Sequence, residues 1–245
     1  MNIFQSSVLG IIQGFTEFLP VSSSGHLVIL QSLIPGFSQP GVLFDVYLHF
    51  GSLLAVLLFY YKRILKLEIH YLIIIILASI PAAILGFILK DYIDVIFQST
   101  KLVGVALIIT GVMNLKTDNN KESEVKINRK NGFMIGLFQA FAILPGISRS
   151  GSTIFAGTLS GLKKEKAAEF SFLLSVPAIM GANILEIYKN RSESLINLNY
   201  IVGIICSFIF SFICIKIMLN TLIKGKFKYF GYYCLLLGLI SLFVK

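Results

Sequence analysis

The chain is predicted to be an all-α polytopic membrane protein. Three observations predict it: composition, a series of long apolar windows, and the placement of the basic residues. Of the 245 residues, 56% are hydrophobic and only 13% charged, with mean hydropathy +0.84. A soluble domain of this length carries roughly a quarter charged residues. Crossing a bilayer takes about 20 mostly apolar residues. Windows of that kind run from about Val42 to Tyr61, Tyr71 to Leu89, Leu102 to Leu115, Phe170 to Tyr188, Tyr200 to Leu219 and Tyr229 to Val244. The net charge of +9 is spread over connections rather than gathered in one patch, which argues against a nucleic-acid partner.

Lys62, Arg63 and Lys66 follow the first window, and Lys116, Lys121, Lys126, Arg129 and Lys130 follow the third. Lys163, Lys164 and Lys166 precede the fourth, and Lys216, Lys224, Lys226 and Lys228 lie near the junction of the last two. The positive-inside rule puts these connections in the cytoplasm. The other connections are poor in positive charge: Lys90 stands with Asp91 and Asp94, and Lys189 and Arg191 stand near Glu193. Six spans satisfy this alternation. The first segment is not expected to be a secretory signal, because it lacks a basic n-region and carries Gln13 and Glu17. Cys206, Cys214 and Cys234 sit in apolar spans without metal spacing and read as small core residues.

Two further apolar stretches, roughly residues 4–34 and 132–160, are broken in the middle by proline, glycine and serine. For the sidedness to hold, each must enter and leave on one face as a re-entrant helical hairpin, which is tolerated where protein surrounds it. The first would open outward and the second to the cytoplasm. The stretches resemble each other: Gln13-Gly-Phe matches Gln139-Ala-Phe, and Val21-Ser-Ser-Ser-Gly matches Ile147-Ser-Arg-Ser-Gly. Downstream, Phe50-Gly-Ser-Leu-Leu-Ala-Val parallels Phe170-Ser-Phe-Leu-Leu-Ser-Val. One membrane domain, 1–245, is thus expected to hold two copies, about 1–115 and 132–245, joined by a polar linker at about 116–131. Three spans per copy make the repeat inverted, with its site where the copies meet.

The chemistry gathers in the hairpins. Gln13 and Glu17, four apart, share a helix face until Pro20 ends that helix. Ser22, Ser23 or Ser24 can cap the following half-helix, whose free N–H groups and dipole favour an anion. The second hairpin repeats the arrangement after Pro145-Gly146 with Ser148, Ser150, Ser152 and Thr153. It adds Arg149, whose guanidinium fits a phosphate in a fork. Glu17 can hold a divalent cation, Ser23 is a candidate nucleophile, and His26 is a candidate base if the fold brings the two together. His49 and His70 read as structural, as do Asp45, Glu169 and Glu186 at span ends, where snorkelling makes them cheap.

On these residues the chain resembles the bacterial undecaprenyl-diphosphate phosphatase family, the integral membrane kind linked to bacitracin resistance. That family's (Glu/Gln)-x-x-x-Glu motif stands here as Gln13 to Glu17 and runs into Pro20 to His26 as Pro-Val-Ser-Ser-x-Gly-His. Its second signature, Pro-Gly-x-Ser-Arg-Ser-x-x-Thr, stands as Pro145 to Thr153, and the likeness continues through Ala168 to Pro177. The resemblance implies hydrolysis of undecaprenyl diphosphate to the monophosphate and inorganic phosphate, recycling the carrier for cell-wall synthesis in the bacterial cytoplasmic membrane. It implies a divalent cation, Mg2+ or Ca2+, on Glu17 with Gln13 as second ligand, and a site reached from the outer face. Carried over by residue, Glu17 is the essential acid, Ser23 the proposed nucleophile with water as the alternative, His26 the proton-transfer group and Arg149 the phosphate clamp. Ser22, Ser24, Ser148, Ser150 and Thr153 are phosphate contacts. Gln13 replaces the carboxylate of the doubly acidic form. The partners are the lipid substrate and the bilayer, with a homodimer left open.

One competing reading remains, and a second is ruled out. A transporter or flippase for a phosphorylated polyprenyl lipid would share the inverted-repeat architecture. An acid-phosphatase-superfamily lipid phosphatase is excluded, because Phe155 stands where its second motif needs histidine.

Overall fold

The computed structural model describes residues 1–34, 37, 43–89, 92, 96–97, 99–189 and 197–243. Among these, every regular element is a helix. They are α1 (Ile3–Thr16), α2 (Ser23–Leu33), α3 (Leu43–Phe59), α4 (Tyr61–Ile64), α5 (Ile69–Leu89) and α6 (Thr100–Thr117). After the linker come α7 (Arg129–Phe141), α8 (Arg149–Leu159), α9 (Lys164–Lys189), α10 (Leu198–Ile223) and α11 (Phe227–Ser241). Helix α5, α6, α9 and α10 are each long and apolar enough to cross a membrane. Helix α3, at 17 residues, and α11, at 15, are apolar but shorter. The chain is an integral membrane protein. The expected ends of the first and last windows, Val42 and Val244, lie outside the described residues, as do Lys90, Asp91, Asp94, Arg191 and Glu193.

The broken stretches form helix pairs. Asn2 starts α1 with a capping box to Gln5, and Asn128 starts α7 the same way with Asn131. Pro20 and Pro145 sit in the turns that follow, and Ser22 and Ser148 cap α2 and α8. Each first half-helix lies along a long helix of the opposite half: α1 on α10, and α7 on α5. Helix α3 packs on α10 as α9 packs on α5, while α3 meets α9 and α6 meets α11. Backbones approach closely at these crossings. A Cβ on Gly10 would lie 2.5 Å from the Gly203 carbonyl, and one on Gly104 would lie 2.8 Å from that of Gly238. Small residues at such crossings are how helices associate where lipid removes the hydrophobic drive.

The largest buried cluster joins Phe18, Ile135, Ile154, Phe170, Phe172 and Ile215 with their neighbours, so it holds residues from both hairpins and from α9 and α10. It fixes the hairpin turns from one side. The three cysteines are free, with Cys214 and Cys234 fully buried, as the apolar reading expects. Asp45 departs from expectation. It does not snorkel but is buried, and it accepts a 2.7 Å bond from Gln31 Nε2. Glu169 does sit at the start of its span, paired with Arg63 at 2.6 Å and Lys166 at 3.1 Å.

Candidate active site

The two hairpin turns meet backbone to backbone. Ser22 Oγ accepts from Gly25 N of its own half-helix at 3.3 Å and from Gly146 N of the other hairpin at 3.1 Å. Ser22 holds φ at +66°, the only positive value at a non-glycine among the described residues. Such strain costs on the order of 1–3 kcal/mol and persists where surroundings over-determine it. Here the two N–H groups on its hydroxyl do so. Gly146 also has positive φ, +96°, and a Cβ there would lie 2.5 Å from the Val103 carbonyl. Glycine is required at this turn. Asn114 of α6 donates to the Pro20 carbonyl at 2.6 Å, and Ser150 donates to the Leu19 carbonyl at 2.9 Å. Protein groups thus take the Leu19 and Pro20 carbonyls of the first turn and the Gly146 N–H of the second.

Glu17 stands at this junction, 6% exposed. Its Oε1 accepts from Arg149 Nη2 at 2.6 Å. Its Oε2 accepts from Ser23 Oγ at 2.7 Å and from Gln13 Nε2 at 2.8 Å. His49 Nδ1 lies 3.0 Å from the same oxygen and 2.9 Å from Gln13 Nε2. Arg149 also donates to the Ser171 carbonyl at 3.3 Å and lies over the Phe18 ring at 5.8 Å from its centroid. One carboxylate thus joins a hydroxyl, an amide, an imidazole and a guanidinium drawn from α1, α2, α3 and α8. This arrangement can hold a phosphoryl group against a cation with a nucleophile and its base beside it.

The model of the bacitracin resistance protein BacA family matches residues 6–240. The chain belongs to the BacA family. It is 42% identical to a Methanococcus vannielii protein named undecaprenyl-diphosphatase, across 98% of this chain and 99% of the relative. It is 37% identical to undecaprenyl-diphosphatase 2 of Bacillus thuringiensis, across 98% and 97%. It is 40% identical to an undecaprenyl-diphosphatase of Halothermothrix orenii, across 98% and 97%.

Within this BacA-family chain, Gln13, Glu17, Ser23 and Arg149 come together. His26 and Ser23 do not pair. The His26 ring reaches back one turn, with Nδ1 2.8 Å from the Ser22 carbonyl, and Nε2 lies 2.7 Å from the Tyr233 hydroxyl. Ser23, in the first turn of α2, points instead to Glu17. The other hydroxyls are committed within the protein. Ser148 caps Gly151 N at 3.1 Å and lies 3.2 Å from Ser150 Oγ. Ser152 donates to the Ser148 carbonyl, and Thr153 lies 2.6 Å from Ser171 Oγ. Ser24 is partly exposed, with its Oγ 3.4 Å from that of Ser22.

His49, which the sequence reads as structural, also reaches Glu17 and Gln13. It appears in the sequence as one histidine on an apolar helix, which usually means a structural role. The available signal was its register: the Phe50/Phe170 match puts His49 opposite Glu169, so both copies carry an ionisable group there.

Proposed function

We propose that this chain hydrolyses undecaprenyl diphosphate to undecaprenyl phosphate and inorganic phosphate, recycling the lipid carrier for peptidoglycan synthesis and conferring bacitracin resistance. The observation that carries this reading is Glu17 joining the Ser23 hydroxyl of one hairpin to the Arg149 guanidinium of the other. Relatives named undecaprenyl-diphosphatase, matched over nearly the whole of both chains, favour hydrolysis over a transporter or flippase.

In this mechanism the polyprenyl tail stays among apolar helices and the diphosphate enters the hairpin junction. Arg149 turns its remaining donors to the terminal phosphoryl oxygens, with Ser24 and the first turns of α2 and α8 lining the same cradle. Ser22, Ser148, Ser150 and Thr153 shape that cradle through the bonds described above. Ser23 Oγ attacks the terminal phosphorus as the bond to the bridging oxygen breaks, and the electron pair leaves with undecaprenyl phosphate. Glu17 Oε2 takes the proton of Ser23 and passes it to the leaving phosphate. Water then attacks the phosphoserine, Glu17 takes its proton, and Ser23 recovers it as inorganic phosphate departs. His26 exchanges protons between released phosphate and solvent at Nε2, by way of the hydroxyl 2.7 Å from it, because Nδ1–H is given to the Ser22 carbonyl. Most of the acceleration is positioning and electrostatics.

A divalent cation, Mg2+ or Ca2+, fits the donor set. Gln13 Oε1 is buried beside Glu17 with no hydrogen-bond partner, and amide and carboxylate oxygens suit such hard ions. Among the described residues no group of three His, Cys, Asp or Glu gathers to hold a metal. Substrate and water oxygens would therefore complete the shell around Glu17 and Gln13. When bound, the ion neutralises diphosphate charge and polarises the terminal phosphoryl group.

The architecture proposed with this function is six spans and two re-entrant hairpins in an inverted repeat, about 1–115 and 132–245, with a cytoplasmic linker at about 116–131. The matched pairings α1–α10 with α7–α5, and α3–α10 with α9–α5, support it. The family resemblance favours a site reached from the outer side of the cytoplasmic membrane, and the basic connections are consistent with it. Phosphate release from undecaprenyl diphosphate in detergent tests the reading, with loss expected in Glu17→Gln and Arg149→Ala. A purified chain that moved polyprenyl phosphate across vesicles but released no phosphate would overturn it.

A further inference from the structure

We infer that Tyr233 is a positioning residue for His26, holding its Nε2 from the last helix of the chain. The inference deepens the hydrolase reading and rests on it for the role of His26. Three observations carry it. First, His26 Nδ1 lies 2.8 Å from the Ser22 carbonyl, which can only accept, so Nδ1 carries the hydrogen. Second, the neutral ring then has its lone pair on Nε2, and the Tyr233 hydroxyl lies 2.7 Å away as the donor. Third, the two rings stack with centroids 5.6 Å apart and planes within 11°. Together these fix the tautomer, the tilt and the direction of the imidazole.

Helix α11 is built to hold that contact in place. Gly104 and Gly238 bring α6 and α11 together at a close backbone crossing. One residue after Tyr233, Cys234 Sγ lies 3.6 Å from the Pro20 carbonyl, the same acceptor that Asn114 of α6 uses. The helix that carries Tyr233 is thus docked on the turn that launches α2. Tyr233 itself stays 45% exposed, so its hydroxyl stands between His26 and the surroundings. A hydroxyl both donates and accepts. When Nε2 takes a proton, the same oxygen accepts it without the ring moving. The contact therefore serves His26 in both protonation states and keeps Nε2 aimed at one place through the cycle.

The test is Tyr233→Phe, which keeps the stacked ring and removes the hydroxyl alone. Phosphate release should show kcat lowered about tenfold with KM little changed, since positioning of a proton-transfer group acts on the transition state. In His26→Asn protein the added Tyr233→Phe change should cost nothing further. Independently of turnover, protein labelled with 15N-histidine carries three imidazoles. The His26 signal, assigned by its loss in His26→Asn, should shift at Nε2 in Tyr233→Phe. Unchanged kcat and an unshifted Nε2 signal would overturn the inference. So would an equal loss from Tyr233→Phe with and without His26. If the wild-type chain released no phosphate, the hydrolase reading would fall, and the Nε2 shift would still decide whether Tyr233 holds His26.

Discussion

Replacing Glu17 by glutamine tests the site at its centre, because the two side chains have the same shape and differ in what each atom does. The carboxylate accepts on both oxygens: from Arg149 on one, and from Ser23 and Gln13 on the other. A glutamine offers one accepting oxygen and one NH2. Either Arg149 faces the NH2, donor to donor, or Gln13 does, while Ser23 must turn from donating to accepting. Hydrogen bonds to charged groups contribute roughly 1.5–3 kcal/mol each, and breaking a buried ion pair from one side costs about 3–5 kcal/mol. Arg149 and Glu17 side chains are only 14% and 5% exposed, so the upper part of that range applies with little screening. In a chain of this size each kcal/mol moves the thermal midpoint by about 2–4 °C, which gives a drop of roughly 10 °C. Turnover falls further, by about 10³-fold or more, because Ser23 loses its base while Arg149 loses its alignment. The assay is phosphate release from undecaprenyl diphosphate in micelles, run beside thermal unfolding of the same preparations. Adding Arg149→Met to Glu17→Gln removes the stranded charge, so the double variant should regain much of the lost midpoint and none of the activity. Glu17→Gln turnover within tenfold of wild type, or a double variant less stable than either single, would refute the reasoning.

Ser23→Ala leaves Glu17 and Arg149 paired and should reduce phosphate release by about 10³-fold with little change in stability; turnover close to wild type would rule out the serine as nucleophile, while a trapped phosphoserine would establish it. Gly146→Ala meets the Val103 carbonyl at 2.5 Å from a left-handed backbone and should cost about 2 kcal/mol or more. Gly181→Ala, in α9 with nothing within 4 Å, should instead stabilise by about 0.5–1 kcal/mol, and unfolding midpoints that did not separate the two would contradict the close packing described. Chelation of divalent cations should abolish phosphate release, with Mg2+ or Ca2+ restoring it and Gln13→Ala raising the concentration needed; full activity in excess chelator would remove the metal from the mechanism.

Much of the architecture was legible because a bilayer allows few solutions. Each apolar window holds a helix among the described residues, four of them long enough to span, and the caps at Ser22 and Ser148 follow from serine ahead of a half-helix. That Gln13, Glu17 and Arg149 would meet was legible because polar groups in apolar sequence need partners, and helical spacing fixed two of them on one face. What stayed hidden depends on rotation and on contacts across the chain. Nearness in sequence suggested that His26 would serve Ser23, but the +66° φ at Ser22 and the turn of α2 send the two side chains to different neighbours. His49 lies 36 positions from Gln13, and Tyr233 lies 207 from His26, so no local pattern could pair them. Asp45 was misread for the same reason, since the partner that makes its burial tolerable, Gln31, comes from another helix.

The clasp between the turns has a consequence for how the protein is made. Ser22 receives its second N–H from Gly146, and Glu17 receives its cation from Arg149, both more than 120 residues later in synthesis. A nascent chain that has delivered only its first half therefore carries the acid and the serine without Arg149, and Ser22 holds only the Gly25 N–H of its two donors. Competence arrives at once, when the second turn docks. Halves expressed as separate chains should each be inert and gain phosphate release when combined, since the acid and its cation come from different halves.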